Sequence, residues 1–377
     1  MDFLSGLHFW GGSALGSVLP FLFVLTAVVF FHELGHFWVA RRCGVKIDAF
    51  SIGFGPELFG FYDRHNTRWR VAAIPLGGYV RFHGDDSAAS TPDHAALERM
   101  NATERKVSFF HKSVAQRAAI VAAGPIANFL LAIAIFAGIF AAYGKPASPA
   151  RVHSVAAASA AAGAGFKEGD LVLSIDGRKI ETFSDMQRVV TASPGQTLAF
   201  VVERDGAQVT LNAVPALEEH KDRFGNVYRI GRLGITGVPD APKPVNILQA
   251  IGLGASETWF VVDRTLSYIG GVIIGRESAD QLGGPLRIAQ ISGQVASIGF
   301  PELLNLTAVL SVSIGLINLF PIPLLDGGHL LFYGIEGIRG RPLSEKAQEL
   351  GFRIGLAIVV MLMIVATWND ILHLVAL

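Results

Sequence analysis

Apolar residues gather into four long runs, 18–40, 114–143, 303–320 and 352–368, separated by stretches rich in charge, glycine or proline. A helix crossing a bilayer needs about 20 mostly apolar residues, so the pattern predicts four membrane helices. Pro20 falls in the first turn of the first run, where a helix tolerates it. Ser113 and Gln116 suit a capping box ahead of the second, and the third stops at Pro321-Ile322-Pro323. Between the first two runs the pattern changes. Residues 45–82 read as strands, broken at Gly53-Phe54-Gly55-Pro56 and Pro75-Leu76-Gly77-Gly78. Segments 58–62 and 68–73 flank a polar turn at 63–67, which predicts a β-hairpin dipping back toward the membrane. Residues 85–105 are polar and predicted to be a loop.

A different pattern fills the segment between the second and third runs. Gly165-Phe166-Lys167-Glu168-Gly169-Asp170 is a turn leading into a strand at 171–175 and a second turn at Asp176-Gly177. A short helix fits 182–191, and strands at 198–203 and 207–214 meet at Asp205-Gly206. One such α+β unit is present and no second copy is found. In 244–275, Ile247, Ile251, Ala255, Trp259, Val262, Leu266, Ile269 and Ile273 recur at helical spacing, interrupted by Glu257, Asp263 and Arg264. An amphipathic helix lying in the interface is expected there, not a fifth span.

Composition agrees with a membrane protein. Of 377 residues, 51% are hydrophobic and 16% charged, against about 25% charged in soluble domains. Basic and acidic residues balance at 31 each, which gives no reason to expect a nucleic-acid partner. Cys43 stands alone, so no internal disulfide forms. The N-terminus lacks a basic region, so the first run reads as a retained helix and not a cleaved signal. Arg41, Arg42, Lys46, Lys112, Arg117, Arg339, Arg341, Lys346 and Arg353 flank the runs. The positive-inside rule puts those flanks in the cytoplasm, with both termini and 144–300 outside.

The candidate chemistry lies inside the first run, at His32-Glu33-Leu34-Gly35-His36. Two imidazoles four residues apart share one helix face and can reach one zinc ion, with Glu33 beside it as a base. Ionisable groups at this depth are costly and are usually there for function. A catalytic zinc takes a third protein ligand. Asp326, in Asn318-Leu319-Phe320-Pro321-Ile322-Pro323-Leu324-Leu325-Asp326-Gly327-Gly328, is the leading candidate, because it falls at the same depth behind a helix break. A helix-capping role for Asp326 and ligation by His329 are the rivals. Asn128, in Ala123-Gly124-Pro125-Ile126-Ala127-Asn128, could support a ligand, bind substrate backbone or join two helices. Asn318 is the stronger candidate for substrate contact.

These motifs, with Phe31 to Phe37, Gly53 to Pro56 and Pro75 to Val80, resemble those of intramembrane site-2 proteases of the bacterial RseP group, in the same order along nearly the whole chain. Residues 165–177 resemble part of a PDZ domain. The resemblance implies a polytopic α-helical membrane protein with four transmembrane helices, a membrane-associated β-hairpin and an inserted extracytoplasmic PDZ-like α+β domain. The expected division is 1–143 (N-terminal membrane part), 144–240 (PDZ-like, periplasmic), 241–300 (interfacial helix and connector) and 301–377 (C-terminal membrane part). It implies Zn2+ held by His32, His36 and Asp326, Glu33 as catalytic base, and substrate contacts from Asn318, Pro321 and Pro323. The expected activity is hydrolysis of peptide bonds in or near the membrane segments of single-span proteins, such as anti-sigma factors or remnant signal peptides, in the bacterial inner membrane. Many members of that group carry two PDZ units, so the single unit here is a departure. Two other readings compete: a Ste24-type peptidase, which needs a glutamate ligand such as Glu336, and a tail-binding scaffold with a vestigial metal site, against which an intact Glu33 argues.

Overall fold

The structure, a computed structural model, describes residues 14–84, 99–145, 148–221, 227–237, 242–276 and 283–375. It divides into two compact units, one built from 1–139 and 247–371, the other chiefly from 140–246.

Among the described residues, four helices are long and apolar enough to cross a membrane. They are α1 (Ala14–Arg42), α3 (Val114–Tyr143), α8 (Phe300–Asn318) and α10 (Glu345–Val375). Because α1 begins at Ala14, Pro20 lies inside the helix and not in its first turn. The capping box of α3 forms as expected, with Gln116 N–H on Ser113 Oγ and Ser113 N–H on Gln116 Oε1.

Between α1 and α3 lie β1 (Ile47–Tyr62) and β2 (Arg68–Phe82). This is more than a simple hairpin. Phe50 pairs with both Trp69 and Val80, while Phe61 pairs with Trp69. Each strand therefore doubles back, giving four lanes in the order 57–62, 68–72, 47–52, 78–82. Gly53 and Gly55 make the bend in β1 at φ 87° and 83°, values that side chains rarely tolerate. The sheet buries Phe50 and Val80 against Phe37 and Ile120, with Phe50 stacked on Trp69 at 4.4 Å. Asp63 ties the turn to α1. Its carboxylate accepts from Arg41 and from Trp69 Nε1, and from the amides of His65 and Thr67. Leu58, Phe59 and Tyr62 stay exposed beyond it.

Of the expected loop at 85–105, residues 85–98 lie outside those described. Its end is helical. Here α2 (Ala102–Val107) is started by Asn101, whose side chain accepts from the Thr103 and Glu104 amides while Glu104 reaches back. That reciprocal cap overrides the polar composition that suggested a loop.

α6 (Ile247–Ile273) is a single helix. A Cβ at Gly254 would come within 2.7 Å of the Ile133 carbonyl oxygen, so α6 meets α3 backbone to backbone, as small residues allow in membranes. α7 (Pro285–Ile298) starts on a side chain borrowed from α10. Asp370, 2% exposed, accepts from the amides of Gly284, Leu286 and Arg287. α9 (Asp326–Arg339) follows the break after α8.

The second unit is a four-stranded antiparallel sheet in the order β5 (Arg178–Lys179), β4 (Leu171–Ile175), β6 (Leu198–Arg204), β7 (Ala207–Ala213). Ribbons of β8 (Ala216–Lys221) with β9 (Val227–Arg232) and of β3 (Ser154–Val155) with β10 (Ile235–Thr236) accompany it. Helices α4 (Ala160–Ala164) and α5 (Phe183–Thr191) complete it, over a core that includes Phe166, Val172, Met186, Phe200 and Val202. Asp170 organises the 165–170 turn. Arg204 grips its carboxylate through Nε and Nη2, each at 2.8 Å, and the Lys167 amide donates at 2.9 Å. Burial works against ionisation, but these donors outweigh it and hold the carboxyl below the usual carboxylate range. A depressed pKa contributes stability at neutral pH that is lost as pH falls through it. Asp170→Asn should destabilise this unit by roughly 2–3 kcal/mol at pH 7. Limited proteolysis of the full chain should then cut 140–246 faster, a difference that vanishes in acid; equal cutting at pH 7 would contradict the assignment.

Candidate active site

The site is set by three helices. His32 and His36 stand one turn apart on α1, with ring centroids 4.8 Å apart and planes near perpendicular. Their Nε2 atoms are 3.2 Å from each other. Asp326, first residue of α9, places Oδ2 3.1 Å from His32 Nε2 and 3.5 Å from His36 Nε2. Among the described residues these three form a group able to hold a metal.

Proton accounting decides what the group wants. His36 Nδ1 lies 2.9 Å from the Ile120 carbonyl oxygen. A carbonyl only accepts, so Nδ1 carries the proton and Nε2 presents a lone pair inward. His32 Nδ1 lies 3.3 Å from the Asn128 side-chain amide. With the amide nitrogen turned to the ring, Asn128 Oδ1 is buried without a partner. Rotating the amide end for end lets Oδ1 accept from His32 Nδ1–H, and His32 then matches His36. Asp326 Oδ2 is also buried without a donor. Two imidazole lone pairs and a carboxylate thus converge with no hydrogen between them. Protonating both rings instead would press two cations together out of water. A single divalent cation satisfies all three acceptors. Two nitrogens and one carboxylate oxygen with an open fourth position are the donor set of a catalytic zinc.

Glycines bring the helices this close. A Cβ on Gly124 would collide with His36 Nε2 and lie 2.9 Å from His32 Cε1. One on Gly35 would collide with the Ala123 carbonyl oxygen. The break after α8 works in the same way: side chains at Gly327 and Gly328 would strike the carbonyls of Phe320 and Ile322. Leu325, not Asp326, occupies the N-cap of α9, and no side-chain bond caps it. The capping role for Asp326 is therefore not what the structure shows.

A cavity of about 210 Å³ opens on the group. Glu33 lines it beside the ligands and accepts a hydrogen bond from the Val80 backbone amide. Gly78, Tyr79 and Val80 supply the neighbouring wall. A Cβ on Gly78 would lie 3.2 Å from Glu33 Cγ, so this lane of β2 runs hard against α1. Asn318, His329 and Tyr333 also line the cavity.

The other expected substrate contacts do not reach it. Asn128 is fully buried behind His32, and its carbonyl accepts from Ser311 Oγ at 2.9 Å. It supports a ligand and joins two helices, so the amide has no access to substrate. Pro321 is exposed and Pro323 half-buried, and neither lines the cavity. Pro323 packs on α10 instead, where its carbonyl abuts Gly355. Both prolines fall in the turn that precedes Asp326. His329 is absent from the metal group, as is Cys43. Glu336 pairs with Arg117 at 2.6 Å, which removes the glutamate that a Ste24-type site would need.

Sequence reasoning missed the Ile120 carbonyl, which no side-chain motif announces, and the packing role of Gly35, whose signal was its place inside the histidine pair. Removing the Asn128 amide should weaken zinc binding by about 10–100-fold. Chelator competition on purified Asn128→Ala checks this, and wild-type affinity would contradict it.

Comparison with known proteins agrees with this geometry. The model of "Peptidase family M50" matches residues 20–362. A protein of Rhizobium meliloti described as a "putative zinc metalloprotease" is 52% identical over 359 residues, covering 94% of this chain and 96% of its own. One of the same description from Agrobacterium fabrum is 50% identical over 368 residues, covering 97% and 98%. "Metalloprotease MmpA" of Caulobacter vibrioides is 42% identical over 377 residues, covering 94% and 95%. A PDZ domain from Listeria monocytogenes covers 25% of this chain and 90% of its own at 21% identity, with a TM-score of 0.19, too low to assign a fold. With a match that spans the metal group and the strands and reaches all four apolar helices, the chain belongs to peptidase family M50, the site-2 proteases, and is a zinc metalloprotease.

Proposed function

We propose that this chain hydrolyses peptide bonds within or beside the membrane segments of single-span proteins in the bacterial inner membrane, with the site toward the cytoplasmic face and 144–240 in the periplasm. The observation that carries the reading is the convergence of His32, His36 and Asp326 next to Glu33, with both histidines and Glu33 on a helix apolar enough to cross a bilayer. His32, His36 and Asp326 are the residues that would hold zinc, and Glu33 is the base. Zinc, when bound, supplies Lewis acidity that makes water nucleophilic near neutral pH and polarises the scissile carbonyl. Glu33 takes the proton from the attacking water and returns it to the leaving amine. Its bond from the Val80 amide fixes the carboxylate for that transfer.

A membrane helix hides its peptide groups in internal hydrogen bonds and must unwind before attack. Its unwound stretch needs other partners. The lane lining the cavity is 78–82, and among the described residues no strand pairs with its outer side. An extended segment added there would lie along Glu33, with main-chain bonds giving affinity without demanding sequence. Asn318, at the end of α8, lines the same cavity and would hold the same backbone. The 144–240 unit would gate access, by binding a newly exposed C-terminus or excluding bulky ectodomains, which suits substrates already trimmed outside, such as anti-sigma factors or remnant signal peptides.

Glu33→Gln tests the reading. Co-expressed with a library of tagged single-span proteins, the wild type should cut a subset. The variant should keep its zinc and lose at least about 1,000-fold in cleavage, the scale on which essential general bases act. Identical product patterns from both would favour the scaffold reading.

A further inference from the structure

His329 is left unexplained by the metal group and by the base. It lines the same cavity as Glu33 and Asp326, yet it belongs to no metal-holding group among the described residues. Its ring sits between aromatic neighbours, 5.6 Å from Phe352 and 6.4 Å from Tyr333 by centroid. It makes no side-chain hydrogen bond to a described residue. Nor is either ring nitrogen among the buried atoms sealed off without a partner, and the residue lines the cavity. A polar ring at this depth without a protein partner is costly unless something else supplies one.

The helix explains the placement. Asp326, His329 and Tyr333 follow one another at three and four residues along α9, a single stripe, and all three line the cavity. The helix that delivers the third ligand therefore delivers an imidazole N–H one turn further along. Packing against Phe352 on α10 fixes the ring. Peptide hydrolysis needs such a donor. When the water oxygen adds to the carbonyl carbon, the π electron pair moves to the carbonyl oxygen, and a preorganised donor lowers the barrier at that moment.

We propose that His329 is a catalytic residue that donates an N–H hydrogen bond to the scissile carbonyl oxygen as it takes on negative charge. No proton leaves the ring: the water proton passes to Glu33 and on to the amine. The assignment rests on the peptidase reading above and adds a residue to it.

The test uses purified full-length protein and a tagged single-span protein that the wild type cuts. His329→Leu and His329→Gln have similar volume, and only Gln keeps an N–H. His329→Leu should hold one zinc per chain, keep KM near wild type and lose about 100-fold in kcat. It should also bind a phosphinic peptide, which mimics the tetrahedral state, weaker by a similar factor. His329→Gln should recover most of both. Equal rates for Leu and Gln, zinc lost in step with activity, or a raised KM with kcat intact would each overturn the proposal. Cleavage that persists in Glu33→Gln would instead remove the peptidase reading beneath it.

Discussion

Three acceptors facing one another without a hydrogen between them are the constraint on which the rest of this structure depends. The Ile120 carbonyl fixes the proton of His36 on Nδ1, and the Asn128 amide does the same for His32. What remains inward is lone pairs, with Asp326 Oδ2 beside them. In water such a cluster would recruit solvent. At the depth of four apolar helices, a divalent cation is the group that resolves it.

Holding that cluster together explains features that look unrelated along the chain. Gly35 and Gly124 let α1 and α3 touch at the histidines; Gly327 and Gly328 let α9 fold back over its own loop. Gly315 sits against Asn128, where a Cβ would be 3.0 Å from the Asn128 Cβ. At the other end of α9, the half-buried Arg117–Glu336 pair anchors the helix that carries Asp326 to α3. The doubled β-sheet belongs to the same design. Bends at Gly53 and Gly55 fold β1 back, and the 78–82 lane of β2, paired with 47–52, meets α1 beside Glu33.

Much of this was legible in the sequence because the signals were local. The four long helices follow from apolar runs, the histidine pair from its spacing, and Asp326 from its depth behind a helix break. What was not legible depends on distant contacts. Nothing in 45–82 reveals that Phe50 takes partners on both sides, because doubling is a property of pairing and not of alternation. Asn128 read equally well as substrate contact or support until the fold put it behind His32. Pro321 and Pro323 are expected to contact substrate by family resemblance, and the fold puts them in the turn before Asp326, outside the lining of the cavity. Asn101 and Glu104 carried a capping box that the surrounding polarity masked.

Zinc K-edge X-ray absorption on gently extracted full-length protein addresses the central claim most directly. The account predicts one zinc per chain, with two imidazole nitrogens and a carboxylate oxygen at about 2.0–2.2 Å and no sulfur. A sulfur shell at about 2.3 Å, a third imidazole, or protein that carries no zinc would contradict it.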